Sequence, residues 1–202
     1  YPHAKLKASG KGVGLPEGEM GSSEFGHLTI GAGRIVYQDF SRINLSISEG
    51  SFFQNKALVS ACQWAKTHHS SLHLLGLLSY GSIHADRSHP HALLRLAKKQ
   101  NLQPDQVKIH LFTDGRDSPP KSALSLLAEL KKVIKEINMG EIVTIFGRFF
   151  MDRDRRWERT QKAYEALVSG KGKKARSPKE AIKKYYLQNI TDEFIPPTIF
   201  ND

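Results

Sequence analysis

Three short apolar runs, at 71–78, 106–112 and 141–146, are rich in Leu, Val and Ile and bounded by polar or glycine-containing segments. Continuous apolar runs of this length read as strands buried on both faces. Between them apolar positions recur at helical spacing, over 55–68, over 91–99 with Pro90 just ahead, and over 119–137, where Leu124, Leu127, Leu130, Val133 and Ile134 share a face. Two more helices are predicted at 155–167 and 177–187; the second has Ser177 as a cap, Pro178 in the first turn and Glu180 as an early acid. Strand and helix alternate, which predicts an α/β fold: a mainly parallel sheet flanked by helices, with right-handed crossovers. The first 36 residues differ, with glycines at 10, 12, 14, 18, 21, 26, 31 and 33 and little periodicity. They read as a glycine-rich functional loop attached to another structural unit.

In an open parallel sheet, ligands bind at the carboxyl ends of the strands. The polar clusters fall there: 79–84 after the first run, 113–117 after the second, then Gly147, Arg148 and the charged stretch 152–156 after the third. One surface thus collects His84, Asp117, Arg116 and Arg148. Arginine forks match carboxylate and phosphate bidentately, so the combination suits a small phosphorylated acid. The competing reading has these acids and arginines pairing with one another and capping helices, and it weighs most for Asp152, Asp154, Arg155 and Arg156. His84, His89 and His91 with Asp86 invite a metal reading, but their spacing fits no strong zinc pattern. Near the N-terminus Ser22 and Ser23 stand in a glycine-rich loop; a serine just ahead of a helix can receive a phosphoryl group over unpaired amides, or can simply cap the helix.

Composition narrows the partner. The 202 residues are 39% hydrophobic and 25% charged, ordinary for a globular protein. A net charge of +10 favours an anionic partner: nucleic acid, a membrane surface or a phosphorylated metabolite. Much of the excess lies in Lys171, Lys173, Lys174, Arg176, Lys179, Lys183 and Lys184, which read as a solvated loop and helix face without interleaved aromatics. The one cysteine, Cys62, falls on the apolar side of a helix with Leu58 and Ala65 and reads as a packed thiol. No apolar stretch approaches the roughly 20 residues of a membrane span, and a cytoplasmic location is expected.

Taken together, the residues resemble one family. The run from Gly14 through Ser23 and His27 to Gly33, continuing through Gln38, resembles the nucleophile region of cofactor-independent phosphoglycerate mutases. Asp114, Gly115, Arg116 and Asp117 followed by Pro119 and Pro120, then Gly147, Arg148 and two aromatics before Met151, Asp152, Arg153 and Asp154, and finally the stretch 190–194, follow in the family's order. The resemblance covers essentially the whole chain. It implies an alkaline-phosphatase-like domain carrying a phosphorylatable serine and two manganese ions (Mn2+), with an inserted α/β substrate-binding domain. Residues 1–37 would belong to the first and 38–202 to the second. The implied reaction interconverts 3-phosphoglycerate and 2-phosphoglycerate through a phosphoserine intermediate. Ser23 resembles the nucleophile and metal ligand; His84, Arg116, Asp117, Arg148 and Arg153 resemble the substrate-binding set.

Three departures accompany the resemblance. Ser22 stands where the family usually has Asn. One residue fewer separates Arg148 from Met151, which bears on the alignment of Arg153. The family's distant metal ligands and a later arginine pair are missing. The chain is therefore expected to be an internal piece of a monomeric mutase acting on small molecules, inactive by itself. A basic nucleic-acid-binding module and a related metal-dependent phosphohydrolase are the alternatives.

Overall fold

The three apolar runs pair as parallel strands in the computed structural model: β1 (Leu72–Leu78) against β2 (Val107–Thr113), and β2 against β3 (Glu141–Gly147). In β2 every residue but Lys108 is buried, as a central strand covered on both faces requires. Two further strands have only two residues each and lie below the reach of any periodicity. β5 (Thr198–Ile199) runs antiparallel to β3, and β4 (Lys173–Lys174) runs parallel to β5, giving the order β1-β2-β3-β5-β4. The structure describes residues 1–80 and 84–200, so Gly81, Ser82 and Ile83 of the loop after β1 lie outside the described residues.

Two compact units are present, Tyr1–Asn55 and Lys56–Asp202. In the second, the helices are α3 (Lys56–Thr67), α4 (Ser88–Lys99), α5 (Ala123–Ile137), α6 (Trp157–Ser169) and α7 (Pro178–Leu187). One side of the sheet buries Val107, Ile109 and Ile145 in a core that also contains Leu94 of α4, Leu127 and Leu130 of α5 and Ile182 of α7. A separate cluster joins Phe112 and Phe146, stacked with ring centroids 4.9 Å apart, to Ala163 and Ala166 of α6. Cys62 is buried in α3, and that burial pushes its thiol up. The basic residues from Lys171 to Lys184 are exposed.

Helix starts differ from expectation for stated reasons. α5 begins at Ala123, not at Pro119, because the amides of Ser122 and Ala123 donate to the carboxylate of Asp192, at 2.7 and 2.9 Å. Its deepest positions are Ala123, Leu126, Leu127 and Leu130, while Leu124 is half-buried. α4 starts at Ser88, three residues ahead of the expected His91; Pro90 sits in its first turn, where the missing N–H forfeits no intrahelical bond. Ser177 caps α7 by accepting from the amide of Glu180 at 3.2 Å, as its sequence implies.

The first unit contains α1 (Ser23–Ala32) and α2 (Asp39–Glu49), neither of which buries a residue. α1 replaces the expected glycine-rich loop over much of its length, and α2 was not foreseen. Ahead of them Gly14 has φ +80°, and a β-carbon there would lie 2.0 Å from the carbonyl oxygen of Val36.

A polar chain crosses the three strands. His73 Nδ1 lies 2.9 Å from His110 Nε2, and His110 Nδ1 lies 2.8 Å from the Thr144 hydroxyl. Burial, assisted by the neighbouring His73, pushes the buried His110 imidazole down to about 4. The unfolded chain therefore takes up a proton near pH 6.5 that the folded chain refuses until about pH 4. Stability contributed by His110 should be complete above pH 6.5, decline by on the order of 3 kcal/mol as the pH falls toward 4, and then level off. Urea titrations across that window test this; His110→Gln should flatten the decline, and an unchanged slope would refute the assignment.

Candidate functional site

The loops at the carboxyl ends of β1, β2 and β3 are tied together by one carboxylate. Asp114 is 1% exposed and follows β2 directly. It accepts from the Ser79 hydroxyl at 2.7 Å, from Arg148 Nη1 at 2.7 Å, and from the amides of Arg116 and Asp117 at 3.2 Å each. Burial alone would raise its pKa; the bonds from Arg148, Ser79 and the two amides outweigh that and hold the carboxyl below its ordinary value. Ser118 closes the arrangement, 2.9 Å from the Ser79 hydroxyl and accepting from the amide of Tyr80 at 3.0 Å.

Arg148 bridges Asp114 and Asp117. Burial opposes its charge, but the two carboxylates more than compensate and push its pKa up. His84 Nε2 stands 3.9 Å from Asp117 Oδ2. A cleft of about 360 Å³ is lined by His84, Arg116, Arg148 and Arg153 from the expected set, and by Asp152, Asp154, Arg159 and Glu193. Asp117 borders it through Arg148.

The two readings of the charged stretch after β3 can now be separated. Asp152 accepts from the amides of Asp154 and Arg156, at 3.2 and 2.7 Å, and pairs with Arg159 at 3.3 Å. Accepting those amides and pairing with Arg159, it orders the turn ahead of α6, as the ion-pairing reading held, while the helix itself has no side-chain cap at Arg156. Arg153 faces the cleft and has no hydrogen bond or ion pair among the described residues. Arg159 was not anticipated; its guanidinium stacks 3.9 Å from the Phe149 ring centroid, and its position in the first turn of α6 gave no hint of this.

Glu193 and Asp114 were also missed as site residues. Asp192, Glu193 and Phe194 form a strap across the ends of β2 and β3. The Thr113 hydroxyl lies 2.7 Å from the Asp192 carbonyl, and the Gly147 amide donates to the Ile195 carbonyl at 2.7 Å. A β-carbon on Gly147 would meet the Glu193 carbonyl oxygen at 2.2 Å; one on Gly115, where φ is +73°, would meet the Glu193 amide at 2.7 Å. The two glycines are what admit the strap. Glu193 Oε1 then stands 3.7 Å from Arg116 Nη1.

Ser23 belongs to the first unit. Ser22 is the N-cap of α1, its hydroxyl accepting from the amide of Phe25 at 3.4 Å, and Ser23 is the first helical residue. The Ser23 hydroxyl is exposed and lies 3.2 Å from His27 Nδ1, which lies 2.6 Å from the Ser23 carbonyl. A carbonyl only accepts, so Nδ1 of His27 carries the proton. Among the described residues no group of three or more His, Cys, Asp or Glu side chains could hold a metal ion, including His84, Asp86, His89 and His91. No helix among them is long and apolar enough to cross a membrane.

The chain as a whole is similar to known proteins. Residues 43–202 match the family model described as BPG-independent PGAM N-terminus. A 2,3-bisphosphoglycerate-independent phosphoglycerate mutase of Clostridium perfringens is 55% identical over 100% of this chain, and that of Moorella thermoacetica is 54% identical over 98%. The chain spans 39% of the length of each. Among solved structures, a Leishmania mexicana phosphoglycerate mutase studied at low cobalt concentration superposes with a TM-score of 0.84 and 31% identity, over 98% of this chain and 37% of that one. With its α/β fold and the matched span in agreement, the chain belongs to the N-terminal family of the cofactor-independent phosphoglycerate mutases.

Proposed function

We propose that this chain is the part of a cofactor-independent phosphoglycerate mutase that carries the phosphorylated serine and holds the glycerate. The complete protein would interconvert 3-phosphoglycerate and 2-phosphoglycerate by passing the phosphoryl group to Ser23 and back to the other hydroxyl. Residues 1–37 would be a segment of its phosphatase-like domain, and the substrate domain would follow. The observation that carries this reading is the cleft at the carboxyl ends of three parallel strands, where arginine forks converge beside a histidine and a carboxylate.

Within that cleft Arg148 would hold a carboxylate or phosphate from a fixed position, because Asp114 locks its guanidinium from behind. Arg153, with no hydrogen bond or ion pair among the described residues, would offer its charge to the ligand. His84 and Asp117 lie close enough for a proton to pass between them and a glycerate hydroxyl. On this reading the complete protein works as a cytoplasmic monomer on small metabolites, without a nucleic-acid or membrane partner.

The family resemblance implies two manganese ions, and the residues present do not fit such a centre. Ser23 stands beside His27 without any group of three or more His, Cys, Asp or Glu among the described residues that could hold a metal ion, and the Nδ1 proton of His27 is engaged with a carbonyl. A serine hydroxyl at ordinary acidity is a poor nucleophile. Its activation would depend on groups elsewhere in the complete protein, so the 202-residue chain alone should show no turnover in an enolase-coupled assay. Turnover near that of an ordinary mutase would overturn the division of labour.

Two substitutions in the complete protein test the roles. Ser23→Ala should abolish the phosphoenzyme and lower turnover by several orders of magnitude, whereas Ser22→Ala, which removes only a helix cap, should leave phosphoenzyme detectable by mass spectrometry. Phosphate found on Ser22 would sink the assignment. Arg148→Ala should weaken 3-phosphoglycerate binding at least tenfold, since losing one charge-assisted hydrogen bond costs roughly 1.5–3 kcal/mol. Unchanged affinity by titration calorimetry would remove Arg148 from the site.

A further inference from the structure

A cleft that receives an anion would be expected to keep carboxylates out, yet Glu193 is delivered into this one by a backbone with no freedom to withdraw. Its neighbour Asp192 is 0% exposed and anchored by four donors: the Ser122 amide and hydroxyl, the Ala123 amide and the Tyr186 hydroxyl. Gly115 and Gly147 confine the Glu193 backbone from both sides. Such over-determination is out of proportion for a residue that merely fills surface.

The cations of the cleft are unequally committed. Arg148 is clamped by two carboxylates at hydrogen-bonding range, and its side chain is 14% exposed. Arg159 is held by Asp152 and Asp154 and stacked on Phe149. Arg116 is 49% exposed, and its one ion-pair partner among the described residues is Glu193, at 3.7 Å, beyond hydrogen-bonding distance. It is therefore the paired cation released at least cost.

We infer that Glu193 is an internal competitor for Arg116: its carboxylate holds the guanidinium in the free protein and yields it to an anionic ligand, thereby limiting how tightly the cleft grips that ligand. The inference rests on the reading that the cleft takes a phosphorylated acid. Two physical terms oppose each other when the carboxylate is removed. Arg116 loses a loose, half-exposed partner, a small effect. The ligand loses a like charge facing it across Arg116, a larger effect in a partly desolvated cleft. The balance favours tighter binding. A reaction in which a bound glycerate must turn over between two phosphoryl transfers is served by a grip that can be relaxed, and Glu193 is placed to relax it at one of the arginines.

The experiment is calorimetric titration of the complete protein with 3-phosphoglycerate at low ionic strength. Glu193→Gln, which keeps the side-chain shape, should bind at least fivefold more tightly, with the gain shrinking as salt is added. KM should fall together with kcat, because a more firmly held glycerate turns and leaves more slowly. Glu193→Ala should act in the same direction. In an Arg116→Ala background the gain should drop to twofold or less. Unchanged or weaker binding in both Glu193 variants, or an equal gain without Arg116, would overturn the inference. Inorganic phosphate serves as a second probe: if wild type binds phosphate but not phosphoglycerate, the substrate reading falls, and the competitor role is judged on phosphate alone. If neither probe is held more tightly by Glu193→Gln, the competitor role falls.

Discussion

The buried carboxylate of Asp192 is the constraint on which the site depends. It accepts from the buried amides of Ser122 and Ala123 at the start of α5, takes the Tyr186 hydroxyl of α7, and leaves its own carbonyl to the Thr113 hydroxyl at the end of β2. Burial opposes its ionisation, and even four donors do not fully offset that, so its carboxyl lies above its ordinary value. The same desolvation, reinforced by the neighbouring carboxylate, raises Tyr186. A group held at such electrostatic cost earns its place through geometry: one residue later the chain enters the cleft, and two residues later Phe194 packs against Phe149 with ring centroids 5.3 Å apart.

Asp114 plays the complementary part behind Arg148. A fully charged carboxylate buried behind Arg148 turns a flexible side chain into a fixed fork, which is how a small anion can be oriented as well as attracted. The abundance of acids around the arginines follows from the same logic. A cleft of unpaired cations would be strongly attractive and poorly organised, whereas paired ones such as Arg148 and Arg159 keep their directions.

Much of this was legible in the sequence because it is local. The three parallel strands announce themselves as apolar runs, and the cap of α7 is written in Ser177, Pro178 and Glu180. The arginines and His84 could be placed on one surface from strand polarity alone. What could not be read depends on contacts between distant segments. Asp192 starts α5 from the far end of the chain, so no signal near Pro119 marks the true boundary. Glu193 and Asp114 look like ordinary loop acids until the strap is in place, and β4 and β5 are too short for a period of two to register. In the first unit α1 has no apolar stripe to mark it as a helix, whereas α2 carries Phe40, Ile43 and Ile47 on one half-buried face, a short signal that the reading of the glycine-rich start passed over.

The strap also bears on how the molecule assembles. β1, β2 and β3 are joined in succession by single crossovers, while the contacts of Asp192 with Thr113 and Ser122 close a much longer loop of chain. Loop-closure entropy grows only slowly with length, so what the strap depends on is less the length of chain it closes than the strands it is held by. Without it, the Ser122 and Ala123 amides lack the Asp192 carboxylate and the Arg116 guanidinium lacks Glu193. The strap can carry Glu193 to Arg116 only where β2 and β3 already lie side by side, because Thr113 and Gly147, which hold it, end those two strands.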